Sequence, residues 1–181
     1  MIVNRRHALL LLAGVTIVSM GVAAMVALLL RDEDGAGKGS YGPRITSVAE
    51  LQDLARSSGR PIYWAGIQSG RRLEVTRTAD DRVYVRYIGF GDEVGDQSAF
   101  LTIATYRVTS AFTALRTAGR RRGAASWRTP DGANLYTRKG LPSVYLAWPG
   151  TRHEVEVFDR STRRALAVAR SGKIQAVPTA R

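Results

Sequence analysis

An α+β domain behind a single N-terminal membrane span is the fold this sequence predicts, and three observations predict it. An uncharged apolar run, Ala8 to Leu30, precedes everything else. Runs of alternating β-branched and aromatic residues then follow one another with turn signals between them. Helical signatures interrupt those runs in only about three places, so successive strands have few crossovers and should form a largely antiparallel sheet.

As a helix at about 1.5 Å per residue, ALLLLAGVTIVSMGVAAMVALLL would reach about 35 Å, enough to cross a bilayer with some tilt. Arg5 and Arg6 precede it and Arg31-Asp32-Glu33-Asp34 follow, which places residues 1–7 in the cytoplasm and the rest of the chain outside. The rival reading is a cleaved secretory signal. Its apolar core should be shorter, and a small-residue cleavage site should follow, whereas this run passes directly into charge. Residues 31–44, rich in Gly and charge, read as a flexible stalk, and residues 45–181 as one extracytoplasmic domain. The chain has no cysteine, which removes disulfides, thiol catalysis, lipoprotein attachment and Cys-based zinc sites. No cofactor is expected.

Within the domain, Ser47-Val48-Ala49-Glu50 has the capping-box pattern and opens a helix with Val48, Leu51, Leu54 and Ala55 on one stripe. Strands are expected at residues 61–65, 72–77, 82–88 and 99–106. Thr109 or Ser110 then caps a second helix that ends at Gly119. Four more strands fall at 125–128, 134–137, 143–148 and 153–158, with Pro130-Asp131-Gly132 a turn between the first two. Ser161 opens a last short helix, and residues 173–177 would close the sheet. Tyr63-Trp64-Ala65-Gly66 followed by Leu73-Glu74-Val75 is echoed by Tyr145 to Gly150 followed by Val155-Glu156-Val157, the pattern an internal duplication would leave.

The segments PIYWAGIQSGRRLEVTRTADDRVYVRYIG, AFLTIATY and SVYLAWPGTRHEVEVFD resemble a set of uncharacterised proteins from high-GC actinobacteria. The resemblance implies one N-terminal span, an external domain, an envelope location and no assigned activity, so it supplies no site residues.

Four groups are candidates for function. The aromatics Tyr63, Trp64 and Trp148 lead. Side chains alternate along a strand, so Tyr63 and Trp64 should not both be buried beneath one layer of helices, and an exposed aromatic strip would suit a sugar, lipid or peptide. Arg116, Arg120, Arg121 and Arg122 are the densest basic cluster, placed at a helix C-terminus where cations already complement the helix dipole. Their partner, if any, would be an anionic polymer or lipid, in keeping with the net charge of +12. His153, with Glu154 and Glu156 beside it, begins a general-base argument, but alternation puts the histidine on one face and both carboxylates on the other. Asp92, Glu93 and Asp96 share a glycine-rich loop whose spacing matches no EF-hand. The expected function is therefore a partner- or ligand-binding envelope module without catalysis, held in the bilayer through residues 8–30. The rivals are an envelope hydrolase using His153 or the Asp92–Asp96 loop, and an electrostatic binder of anionic lipid or wall polymer. Nucleic acid is not an expected partner of an external domain.

Overall fold

A computed structural model describes residues 39–96, 98 and 100–179. The expected tail 1–7, the span 8–30 and most of the stalk lie outside the described residues. Among those described, no helix is long and apolar enough to cross a membrane.

The elements run β1 (Tyr41–Thr46), α1 (Val48–Ser58), β2 (Tyr63–Trp64), β3 (Arg71–Arg77), β4 (Val83–Gly89), β5 (Thr102–Arg107), α2 (Ala111–Ala118), β6 (Ala124–Arg128), β7 (Asn134–Arg138), β8 (Ser143–Ala147), β9 (His153–Phe158), α3 (Thr162–Arg170) and β10 (Gln175–Ala176). Eight strands form one antiparallel sheet in the order β1-β3-β4-β5-β9-β8-β7-β6, so the chain is α+β.

Local signals behave as expected where they are self-contained. Ser47 Oγ accepts from Glu50 N, and Glu50 Oε2 accepts from Ser47 N at 2.7 Å, which fixes the start of α1. Gly59 ends the helix at φ 62°, the left-handed geometry that glycine adopts without a Cβ clash. α2 differs at both ends. Ser110 occupies the N-cap position without a side-chain cap bond, and Gly119 has a right-handed φ of −63°. Its reason is space, since a Cβ there would lie 2.5 Å from the Ser126 Cβ.

Three expectations are corrected. Residues 41–44, expected within the stalk, belong instead to an edge strand that pairs with β3. A register irregularity between Tyr41 and Arg44 contains Gly42 and Pro43, and an edge tolerates a proline that a central strand would not. β10 does not extend the main sheet. It pairs with β2 in a separate two-stranded sheet, Gln175 opposite Trp64 and Ala176 opposite Tyr63. The two echoed segments also occupy unlike places: β8 and β9 are neighbours in the main sheet, whereas β2 lies outside the sheet that holds β3. The strand order is mirrored about β5 and β9, yet α2 and α3, which follow the two meanders, pack on opposite faces.

The sheet's first face carries Leu73, Val75, Val85, Ile103, Val144 and Val157, and it is covered by Leu51 and Leu54 of α1, Ala165 and Ala169 of α3, and the β2 segment. On the second face α2 packs Ala111, Leu115 and Ala118 against Tyr136 and Tyr145. Burying these side chains outweighs the backbone entropy lost on folding, which a chain without disulfides must offset by packing alone.

Candidate functional site

The aromatic pair is the first candidate that the fold rearranges. Tyr63 and Trp64 are both buried, at 7% and 5% exposure, because β2 is a layer of its own above the first face. Tyr63 N donates to Thr105 Oγ1 at 3.0 Å, Ala65 N donates to Tyr87 Oη at 2.7 Å, and Val177 N closes the other edge on Ile62 O at 2.7 Å. Strand alternation places the two rings on opposite sides of β2, and both sides are covered. Trp148 stacks on Tyr63 with ring centroids 4.8 Å apart, its indole N–H donating to Asp131 at 2.8 Å. The structure thus joins Tyr63 to Trp148, as a packed corner and not as the exposed strip expected from sequence. Acrylamide quenching of single-tryptophan variants is expected to find Trp64 the most protected and the half-buried Trp127 and Trp148 more accessible; equal quenching of all three would contradict this packing.

Arg116, Arg120, Arg121 and Arg122 are exposed around the end of α2 and form no ion pair among the described residues. Arg116 lies in the last turn of α2, and Arg120 to Arg122 in the turn that follows it. His153 is half-buried on the first face and opposite Arg107. Burial and then the positive charge of Arg60 and Arg107 lower its pKa, and no hydrogen bond reaches its ring among the described residues. A general base needs an orienting partner and a proton to take, so this imidazole lacks the setting for that role.

The acidic loop has a structural use. Asp92 accepts from Gly89 N, and Asp96 accepts from Ser98 N at 2.7 Å, both local turn contacts. A buried ion pair pins the loop to the second face: Arg86 Nη1 donates to Glu74 Oε1 at 2.6 Å, Arg86 Nη2 to the carbonyls of Asp96 and Ser98, and Gly95 N to Glu74 Oε2 at 2.7 Å. No cluster of metal-ligating residues occurs among the described residues. The sequence contained a usable signal for this pair. A tight turn at Thr78 to Arg82 sets the β3–β4 register that puts Glu74 opposite Arg86.

The two glutamates beside His153 do lie on the opposite face, where Glu156 meets partners from distant strands. Glu156 accepts from Tyr106, Ser143 and Tyr145, and its pKa is raised by burial against the lowering effect of those three hydroxyls. Glu154 accepts no hydrogen bond among the described residues. Burial, and then the charge of Glu156, raise its pKa to about 7. It opens on a cavity of about 160 Å³ that Asp80, Arg82 and Tyr106 also line.

A larger cleft of about 360 Å³ lies on the first face, between α3, the loop before β3, and the ends of β4 and β5. Phe100, Leu101 and Val168 supply apolar wall, Tyr87 forms part of its lining, and Arg71 and Arg164 bring exposed guanidinium groups to its rim. Asp159 on the cleft wall is buried, accepting from Ser161 N at 2.8 Å with Arg164 Nη1 3.6 Å away. No protein-family model, curated protein or solved structure matches the chain. The functional reading therefore rests on these sites alone. This cleft combines ligand-sized volume with an apolar wall and cationic groups at its rim, the composition that small-molecule sites share, although two other hollows of about 440 and 410 Å³ lie beside Leu141 and beside Arg60. Sequence reasoning did not reach it, because its lining comes from four segments that only the tertiary fold brings together.

Proposed function

We propose that this chain is a membrane-tethered extracytoplasmic module that binds a ligand without transforming it, and that the cleft beside α3 is its binding site. The tether reading rests on the uncharged run from Ala8 to Leu30 and its basic N-terminal flank. The ligand reading rests on one observation: two cationic side chains, Arg71 and Arg164, stand at the rim of a cleft walled by Phe100, Leu101 and Val168. That arrangement suits a small amphiphile with an anionic head and an apolar body, the head held by charge-assisted hydrogen bonds. No observation favours a hydrolytic reading, since His153 has no hydrogen-bonded partner among the described residues and the Asp92–Asp96 carboxylates serve local turns.

Two measurements test the proposal. The full-length protein should stay with membranes through high-salt and alkaline washes, and extraction into a soluble fraction without detergent would end the tether reading. Hexanoate, as a probe of the anionic amphiphile class, should protect the amides of residues 65–71 and 164–168 from hydrogen exchange. Arg71→Ala with Arg164→Ala should weaken that binding about tenfold or more, as loss of charge-assisted bonds implies. Protection unchanged by the double substitution would rule out the cleft as the site.

A further inference from the structure

The end of the sheet at which the described chain begins gathers arginines. Tyr41 pairs with Arg77, Arg107 pairs with His153, and Val108 N donates to the carbonyl of Arg152, so these residues share one end. Arg60 and Arg82 join them through Asp81 and Asp80, at 2.9 Å and 2.6 Å. The fold does not neutralise this group. Asp81 is occupied by Arg77 and Arg60, and Asp80 by Arg82 and the Thr78 hydroxyl. Arg107 and Arg152 are exposed and form no ion pair among the described residues. Arg60 is the most telling member. Its side chain is 8% exposed, its Nε and Nη1 have no hydrogen bond, and it lies within the field of Arg77 and Arg107. A guanidinium kept from water among like charges carries an electrostatic cost that an external anion would relieve.

We propose that this end of the domain lies on the anionic phospholipid surface, with Arg107 and Arg152 contacting the lipid phosphates. The assignment rests on the tether reading above. Only residues 31–38 separate the expected span from Gly39, and at about 3.3–3.6 Å per extended residue they reach about 30 Å at most. Charge complementarity supplies the rest. Juxtamembrane arginines are drawn to anionic lipid within roughly a Debye length of the surface, and arginine matches the geometry of phosphate oxygens. This set is separate from Arg116 and Arg120–Arg122, because Arg122 leads into β6 at Ala124, which pairs with Arg138 at the other end of the sheet.

The test uses the full-length chain in lipid nanodiscs, and the absence of native cysteine makes a single introduced one unambiguous. A fluorophore on Ala79→Cys, an exposed turn residue at the arginine end, is compared with one on Thr162→Cys at the other end. In discs containing phosphatidylglycerol, lipid-borne quencher should reach the first label and not the second. The effect should fade with salt and be absent in phosphatidylcholine alone. Arg107→Glu with Arg152→Glu, two exposed positions that the fold does not depend on, should lower the population of the docked state about tenfold. Equal quenching in neutral and anionic discs, preferential quenching at Thr162→Cys, or release by soluble polyglutamate at low concentration would each overturn the lipid assignment. If the chain fails to enter discs, the tether reading has failed. Sedimentation of the same protein with phosphatidylglycerol vesicles then decides the surface proposal separately: binding lost in the Glu variants supports it, and no binding overturns it.

Discussion

Replacing Glu154 by Gln is expected to stabilise the protein at pH 8 by about 3 kcal/mol, which is about 10 °C in Tm, and to change little at pH 5. The reasoning starts from a buried carboxyl with no hydrogen-bond donor, whose pKa stands at about 7 in place of 4.5. Between those two values the folded chain holds a proton that the unfolded chain has released, so stability falls as pH rises. The contribution is fully present below about pH 4.5, declines through the window, and is gone above about pH 7. Glu156, also raised by burial, adds a slope of the same sign. Wild-type protein should therefore be more resistant to urea at pH 5 than at pH 8, and Glu154→Gln should flatten much of the difference. A wild-type stability that climbs from pH 5 to pH 8 would show that Glu154 is solvated or paired.

Arg86→Met is expected to cost about 3–5 kcal/mol, the usual penalty for leaving one member of a buried ion pair without its partner. Glu74 would then be a fully buried carboxylate facing a thioether, and the loop would lose the donors that hold the carbonyls of Asp96 and Ser98. Amides of residues 89–96 should exchange faster than those of the β9 core. The double variant Glu74→Leu with Arg86→Met should recover much of the stability while leaving the loop loose, because two apolar partners remove the desolvation penalty together. If both variants unfold at the same urea concentration, the pair is not the source of the loss.

What the sequence made legible follows the range of the interaction. The capping box at Ser47 and Glu50 and the turn at Pro130-Asp131-Gly132 are encoded within four residues, and both form as expected. Alternation likewise placed Val155 and Val157 away from Glu154 and Glu156. What stayed hidden needed a partner from far along the chain. Glu156 looked like a neighbour of His153, while its hydroxyl donors come from Tyr106 and Ser143 on β5 and β8. The exposure expected for Tyr63-Trp64 assumed a place in the main sheet, and nothing near residue 63 announces that residues 175–176 will pair with it. The cleft was invisible for the same reason, as no local pattern specifies an empty space between α3 and a loop ninety-odd positions earlier.

The pairing of β2 with β10 also orders events in time. Residues 62–64 are made about a hundred positions before the strand that pairs with them, with Ile174 and Val177 buried beside it. A nascent chain therefore emerges with one edge of β2 unpaired, and the first face cannot be completed until residues 174–177 have left the ribosome. Premature termination anywhere before Val177 would leave the domain nearly full length but unsealed, presenting to quality-control proteases the aromatic surface that the finished fold conceals.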